Sequence, residues 1–222
     1  MLLAIDTSTK AIGVALYDGV RVLSEANWFS NHHHTIELGP AIDVALTKAG
    51  VDRQELSVVG VAIGPGSFTG LRIGLALAKG LALSLQLKVI GVPTLDVLAV
   101  SQPTVGSRMA AVLEAGRRRL AVGWYNLENK FWKSTGPLEN LTVDMLIAQL
   151  QKPIWVTGEL GEQARSLITE KCPQAMLASP AQSVRRPAYL AELAWERYLK
   201  CEYDDPTTLK PIYLHQAEPI PG

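Results

Sequence analysis

The stretch GPGSFTGLRIGLALAKGLAL, residues 64–83, decides most of what this chain can be. Its first three residues make a tight turn that glycine and proline adopt at little cost. The rest reads as a helix in which Gly70, Gly74, Ala78 and Ala82 recur every four positions, placing four small side chains in one row on one face. A row of that kind admits close approach of another element, and nearly every side of this helix is apolar or small. Burial on two sides is therefore expected.

Working outward, residues 58–63 form a buried strand that feeds the turn. Residues 1–7 are an apolar strand ending in Asp-Thr-Ser-Thr, and residues 11–17 and 20–29 are two more strands joined by an Asp18-Gly19 hairpin signal. A helical pattern begins around Thr35, with Ile36, Ile42, Ala45 and Leu46 on one side and Gly50 as its stop. Asp52 and Glu55 have capping-box spacing. Beyond the long helix come a strand at 88–92 and a helix for which Thr94 serves as N-cap, ending before Pro103. The order then repeats. Strands fall at 109–114, 120–126 and 130–133, then a Thr142-capped helix to about 150, a strand at 153–157 and a helix at 162–171. Two halves in the same order indicate an internal duplication, hence an α/β protein of two lobes meeting at a cleft. The expected lobes are 1–104 and 105–222. Pro187 opens a last helix, and the tail from about 205 to 222 is expected to pack back on the first lobe.

Composition narrows the function classes. At 222 residues, 48% hydrophobic and 19% charged, the chain can bury a core and is not disordered. Its 21 Lys and Arg balance its 21 Asp and Glu. A protein that grips RNA alone shows a basic excess, so any nucleic acid here meets a partner first. Arg117-Arg118-Arg119 and Arg185-Arg186 read as solvated surface, with nucleic-acid contact as the alternative. Cys172 and Cys201 have neither disulfide nor metal spacing. The N-terminus lacks a basic region and Asp6 interrupts its apolar run, while Arg72 and Lys79 interrupt the apolar helix. The expectation is a cytoplasmic protein with no membrane partner.

Several motifs together resemble a known family: the Leu-Ala-Ile-Asp-Thr-Ser-Thr start, His34 with Glu37, Leu38 and Pro40, the block from Gly64 to Arg72, Gly91-Val-Pro-Thr-Leu, and the closing Pro211-Ile-Tyr-Leu. The chain is similar to the TsaB family, companion subunits of the bacterial machinery that makes threonylcarbamoyladenosine in tRNA. The match covers nearly the whole chain and is strongest over residues 1–100. It implies the actin-like, sugar-kinase and Hsp70-type ATPase fold. It also implies a noncatalytic subunit that binds and activates the catalytic paralogue TsaD, which modifies the adenosine beside the anticodon in tRNAs reading codons that begin with A. The ATPase TsaE joins the pair, tRNA is met through the complex, and a homodimer forms when TsaD is absent. The chain departs from the family pattern at Glu114 and Gly116, where Asp-Ala-Arg-Arg is common, and at His215, where arginine is usual.

The resemblance also implies site residues. The paralogue holds a metal with two histidines four apart on the helix after its Gly-Val-Pro strand; residues 94–101 here, TLDVLAVS, carry none. His32, His33 and His34 share one loop and cannot converge on one ion, so neither a metal nor a catalytic residue is expected. Members of the fold place a carboxylate and hydroxyls near phosphate and magnesium, which makes Asp6, Thr7, Ser8, Gly64, Gly66 and Ser67 the candidate nucleotide site. Inherited turn chemistry accounts for the same residues, so weak ADP or ATP binding stays open and no cofactor is required. There is no Gly-Lys-Ser/Thr element, which excludes a P-loop. Ser67 lacks nucleophile-elbow spacing, which disfavours a peptidase. The partner interface implied by the family lies on the first-lobe helices 35–49 and 70–83. Its candidates are His34, Leu38, Ile42, Gly70, Leu71, Ile73, Gly74, Leu75, Ala78, Lys79 and Ala82, with the small-residue row as the close-approach surface. On that reading Gly74→Leu leaves the fold intact and abolishes TsaD binding. The competing function is an autonomous ATPase or kinase of the same fold.

Overall fold

A computed structural model of the chain describes residues 1–30, 33–104, 106, 108–116 and 118–214. His32, Arg117 and His215 lie outside the described residues. The chain divides into two compact units. The first comprises residues 1–97 and 185–212, the second the described residues of 98–184 with 213 and 214.

The first unit is built on a five-stranded sheet. Strands β1 (Leu2–Asp6), β2 (Ala11–Tyr17) and β3 (Val22–Phe29) form an antiparallel meander, and β4 (Val58–Ala62) and β5 (Lys88–Val92) extend it in parallel, giving the order β3-β2-β1-β4-β5. Period-two alternation sends Leu3, Ile5, Val14, Leu16, Val59 and Val61 to one face. Helices α1 (His34–Ala49) and α2 (Phe68–Leu85) cover it with Leu38, Ile42, Leu46, Leu75, Ala78 and Ala82. Leu2, Ala4, Ala15, Val58 and Ile90 point the other way and meet Leu190, Ala191 and Ala194 of α6 (Pro187–Leu199). Both faces are buried, which is why these strands read as unbroken apolar runs. Helix α6 thus belongs to the first sheet rather than to the second lobe, where a cut near residue 104 would put it. Its stripe of small and branched residues matches the alternate face of β1, β2, β4 and β5, a pairing that local sequence cannot reveal.

In the second unit, β6 (Arg108–Glu114), β7 (Leu120–Glu128) and β8 (Phe131–Ser134) form a second antiparallel meander, and β10 (Ile154–Gly158) and β11 (Ala175–Leu177) add in parallel beside β6. The short β9 (Glu139–Leu141) also pairs with β7. Helices α4 (Val143–Gln149) and α5 (Glu162–Lys171) cover one face through Leu146 and Ile168, with Leu150 at the end of α4. Each unit is a meander followed by two parallel strands with intervening helices, so the duplication is present and the fold is the actin-like ATPase type. Strands β9 and β11, three residues each, carry no periodic signal and were not expected.

Local chemistry agrees at the element ends. Gly50 closes α1 in the left-handed conformation (φ 66°). Asp52 and Glu55 form the reciprocal capping box, and Thr142 accepts from Met145 N at the start of α4. Two details differ. Ile36 projects outward, 69% exposed, and Leu38 takes the inner position. Thr94 is the first residue of α3 (Thr94–Val100) rather than its N-cap, and its hydroxyl accepts from Gly64 N at 3.0 Å. Cys172 is buried and Cys201 exposed, both as free thiols.

Candidate functional site

Two places in the first unit concentrate the candidate residues: the turn after β1, and the outer surface of α1 and α2.

The turn after β1 is sealed by its own neighbours. Asp6, Thr7, Ser8 and Thr9 are all buried. Asp6 Oδ1 accepts from Ser8 N at 2.9 Å and from the Ser8 hydroxyl. Asp6 Oδ2 accepts from Arg185 Nε at 3.0 Å, and the side chains of this ion pair are 4% and 2% exposed. Arg185 Nη2 also donates to Thr9 Oγ1 at 2.7 Å and to Ala11 O at 3.1 Å. A buried carboxylate persists only with such partners, so Asp6 and Arg185 hold each other in place. Arg185 is therefore no solvated surface residue. It acts across 179 positions of sequence, and no local pattern could have singled it out.

The loop between β4 and α2 closes on the same turn. Ser67 N donates to Ser8 O at 2.6 Å, and a Cβ on Gly66 would stand 2.1 Å from that oxygen. Gly64 takes φ +108°, which a side chain rarely adopts, and donates to Thr94. Ser67 caps α2 by accepting from Gly70 N at 3.2 Å. The structure thus brings Asp6, Thr7, Ser8, Gly66 and Ser67 together and ties them to one another. Both carboxylate oxygens of Asp6 are engaged by a guanidinium and a serine, the arrangement of an internal latch. Among the described residues no group of three His, Cys, Asp or Glu could hold a metal ion.

The small-residue row on α2 faces inward. Gly70, Gly74, Ala78 and Ala82 are all buried within the first unit. A Cβ on Gly70 would lie 2.2 Å from Thr7 O, and one on Gly74 would lie 2.1 Å from Thr7 Oγ1, which itself donates to Gly70 O at 2.8 Å. The row brings the helix backbone onto the end of β1, so it serves the chain's own sheet and not a partner. Leu38, Ile42, Leu71 and Leu75 are likewise buried, and His34 is turned in with Nε2 3.1 Å from Thr9 O. Of the expected interface set, Ile73 and Lys79 alone are half-exposed. The error lay in the choice of helical face. Close approach to a strand needs the same small residues as close approach to a partner helix.

What α2 turns outward is a different stripe: Phe68, Arg72, Ala76, Gly80 and Leu83, with Leu83 70% exposed. Between it and the Thr35, Leu38 and Gly39 side of α1 runs a groove of about 600 Å³ floored by Ile73 and Leu77. It continues past Gly39 and Leu77 into a second hollow of about 310 Å³ beside Ile42 and Leu81. The Arg72 guanidinium lies over the Phe68 ring, 5.1 Å from its centroid, at one end. Near that end Trp28 Nε1 donates to Glu37 at 2.9 Å. This bond, aided by Ser30, holds the Glu37 carboxyl below the usual range. Helix α2 is long and apolar enough to cross a bilayer by composition, but its buried stripe belongs to the core of the first unit.

Comparison with known proteins accords with this architecture. A model of the TsaD family, described as tRNA N6-adenosine threonylcarbamoyltransferase, matches residues 28–137. The tRNA threonylcarbamoyladenosine biosynthesis protein TsaB of Bacillus subtilis is 30% identical over 221 residues, 98% of this chain and 95% of its own. TsaB of Escherichia coli is 32% identical over 168 residues, 73% of this chain and 72% of its own. A solved structure from Pseudomonas aeruginosa, described as an uncharacterized protein with similarity to peptidase YEAZ, superposes with a TM-score of 0.79 at 27% identity, covering 96% of this chain and 99% of that one. With identity at this level along almost its entire length, the chain belongs to the TsaB family of tRNA threonylcarbamoyladenosine biosynthesis proteins.

Proposed function

We propose that this chain is the noncatalytic companion subunit in threonylcarbamoyl transfer to the adenosine beside the anticodon of tRNAs reading A-starting codons. It binds the catalytic paralogue TsaD and holds it in an active form, with the ATPase TsaE as third member, in the cytoplasm. The observation that carries this reading is the groove between α1 and α2. Apolar residues line it (Phe68 exposed at one end, Ile73 and Leu77 on the floor), and Gly39 and Ala76 leave its walls low. Low apolar walls suit a helix from another protein, since backbones can approach and many dispersion contacts form. A second copy occupies the same surface when TsaD is absent.

The chemistry of the chain supports a noncatalytic role. The segment after β5 offers Thr94, Asp96 and Ser101 where a metal-binding member would need two histidines. The carboxylate at the end of β1 is held by Arg185 and Ser8. Weak ADP or ATP binding remains a secondary proposal, without a catalytic consequence. The test is reconstitution of tRNA modification from TsaD and TsaE, with and without this chain. Alone it modifies no tRNA; added to the others it raises product strongly. ATP turnover by the isolated chain that disappears in Asp6→Ala would instead establish the autonomous ATPase.

A further inference from the structure

The open end of the second sheet carries an aromatic and basic surface that the reading above does not use. Arg108 on β6, Asn126 on β7 and Lys133 on β8 stand directly opposite one another, so their side chains rise from one face in a single row. In the next row outward Glu128 faces Phe131, which puts Phe131 on that same face, two residues from Lys133. Phe131 is 65% exposed. The turn between the strands has Asn129 and Lys130 both at positive φ, 51° and 68°, the pattern of a tight hairpin whose twist matches its strands. The aromatic ring is therefore presented by a short, defined turn, with Lys130 exposed beside it. One row inward Trp124 shares the face, half-buried, its N–H donating to Glu139 at 2.8 Å.

Charge decides what such a surface fits. Arg108, Lys130 and Lys133 are set against Glu128, whose carboxylate stands 3.8 Å from Lys133 Nζ with both side chains more than half exposed. An exposed pair at that distance is loosely held, and either member can exchange partner. An apolar protein surface would have no use for the cation row, and a bilayer would need more than one exposed aromatic anchor. A flat ring with Lys130 next to it in the turn, Lys133 two residues on along the same face and an amide in the adjoining row fits an unstacked base with its flanking phosphates. We propose that the β7–β8 hairpin binds single-stranded RNA, with a base stacked on Phe131 and phosphates on Lys130 and Lys133. That the nucleic acid is RNA rests on the tRNA-modification function proposed above. With a net charge of zero for the whole chain, the contact is an accessory one, made weakly by the isolated protein.

The test is fluorescence anisotropy of the full chain at low salt, with labelled oligouridine and with unmodified tRNA as probes. Wild type binds both. Phe131→Leu weakens binding by about tenfold, while Phe131→Tyr, which keeps the ring, stays within about twofold of wild type. Lys130→Ala and Lys133→Ala each lower the slope of log affinity against log salt by up to about 0.7, the value for one phosphate contact on a single strand. Thermal melts that match wild type verify that the variants are folded. No RNA binding by wild type, or equal affinity for Phe131→Leu, overturns the proposal. So does a Phe131→Leu variant that loses TsaD association while its RNA affinity is unchanged. Stimulation of tRNA modification, read in parallel, separates the two ideas: stimulation without RNA binding removes the hairpin site alone, and RNA binding without stimulation removes the proposed function alone.

Discussion

Replacing Gly74 by alanine puts a methyl carbon 2.1 Å from Thr7 Oγ1 and 3.3 Å from Thr7 Cβ. Thr7 is fully buried, and its hydroxyl is already committed to Gly70 O, so the clash is relieved only by breaking that bond or by lifting α2 from β1. Overpacking of this kind costs about 1–3 kcal/mol, and the lost hydrogen bond adds about 1 kcal/mol. Alanine recovers about 1 kcal/mol of helix propensity. The expected net loss is about 1–3 kcal/mol. Gly80 lies six residues further along the same helix, off the face of Gly74, with nothing within 4 Å of its would-be Cβ, so Gly80→Ala gains the propensity term alone and stabilises by about 1 kcal/mol. The two substitutions share chemistry and helix, and differ by about 2–4 kcal/mol because one faces in and the other out. Urea unfolding followed by circular dichroism reads the difference as midpoints shifted in opposite directions. Thr7→Ala in the Gly74→Ala background should restore part of the loss, giving a coupling of about 0.5–3 kcal/mol. Equal shifts for Gly74→Ala and Gly80→Ala, or strict additivity with Thr7→Ala, would refute the inward assignment of the row. The same geometry revises the expectation for Gly74→Leu, which should fail by unfolding the first unit before any partner is involved.

Three further outcomes are expected. Arg185→Met leaves the Asp6 carboxylate buried and without its cation, at a cost of about 3–5 kcal/mol, and adding Asp6→Asn recovers a large part of it; denaturation midpoints of the two singles and the double decide. Ala76→Arg blocks the groove wall at an exposed position, so it should weaken TsaD association at least about tenfold while leaving stability within about 0.5 kcal/mol, as titration calorimetry and a melt would measure. Partial desolvation, and secondarily the like charge of Glu196 one helical turn away, push the Glu192 carboxyl above its ordinary value. A raised carboxyl favours folding below its unfolded value and loses that contribution as pH climbs through the folded value. Glu192→Gln should therefore be more stable than wild type at neutral pH, with the gap closing towards pH 4, and a gap that widens on acidification would reverse the assignment.

Local signals placed most of the fold. Hairpin, cap and stop residues such as Asp18-Gly19, Thr142 and Gly50 carry their geometry in their own chemistry, and alternate buried runs carry the strands. Duplication was visible because both halves repeat one order of elements. What local reading missed depends on distance or on direction. The latch of Asp6 with Arg185, and the return of α6 to the first sheet, join residues far apart in sequence. The facing of α2 could not be read because a helix apolar on nearly all sides gives no moment to orient it, and the small row served equally well for a strand or a partner. The face that α2 turns outward carries Phe68, Arg72, Ala76, Gly80 and Leu83, while Gly70, Gly74, Ala78 and Ala82, read from sequence as the contact surface, are buried.

The interrupted first unit has a consequence for how the chain is made. Its strands leave the ribosome early, but α6 and the arginine that neutralises Asp6 follow only after residues 98–184 have been synthesised. At about 5–20 residues per second that wait is roughly 5–20 s. Throughout it Leu2, Ala4, Val58 and Ile90 lack the helix that covers them in the folded unit. A nascent chain stalled in that interval is sticky, a natural client for chaperones, and prone to clump in proportion to how slowly its middle third is translated.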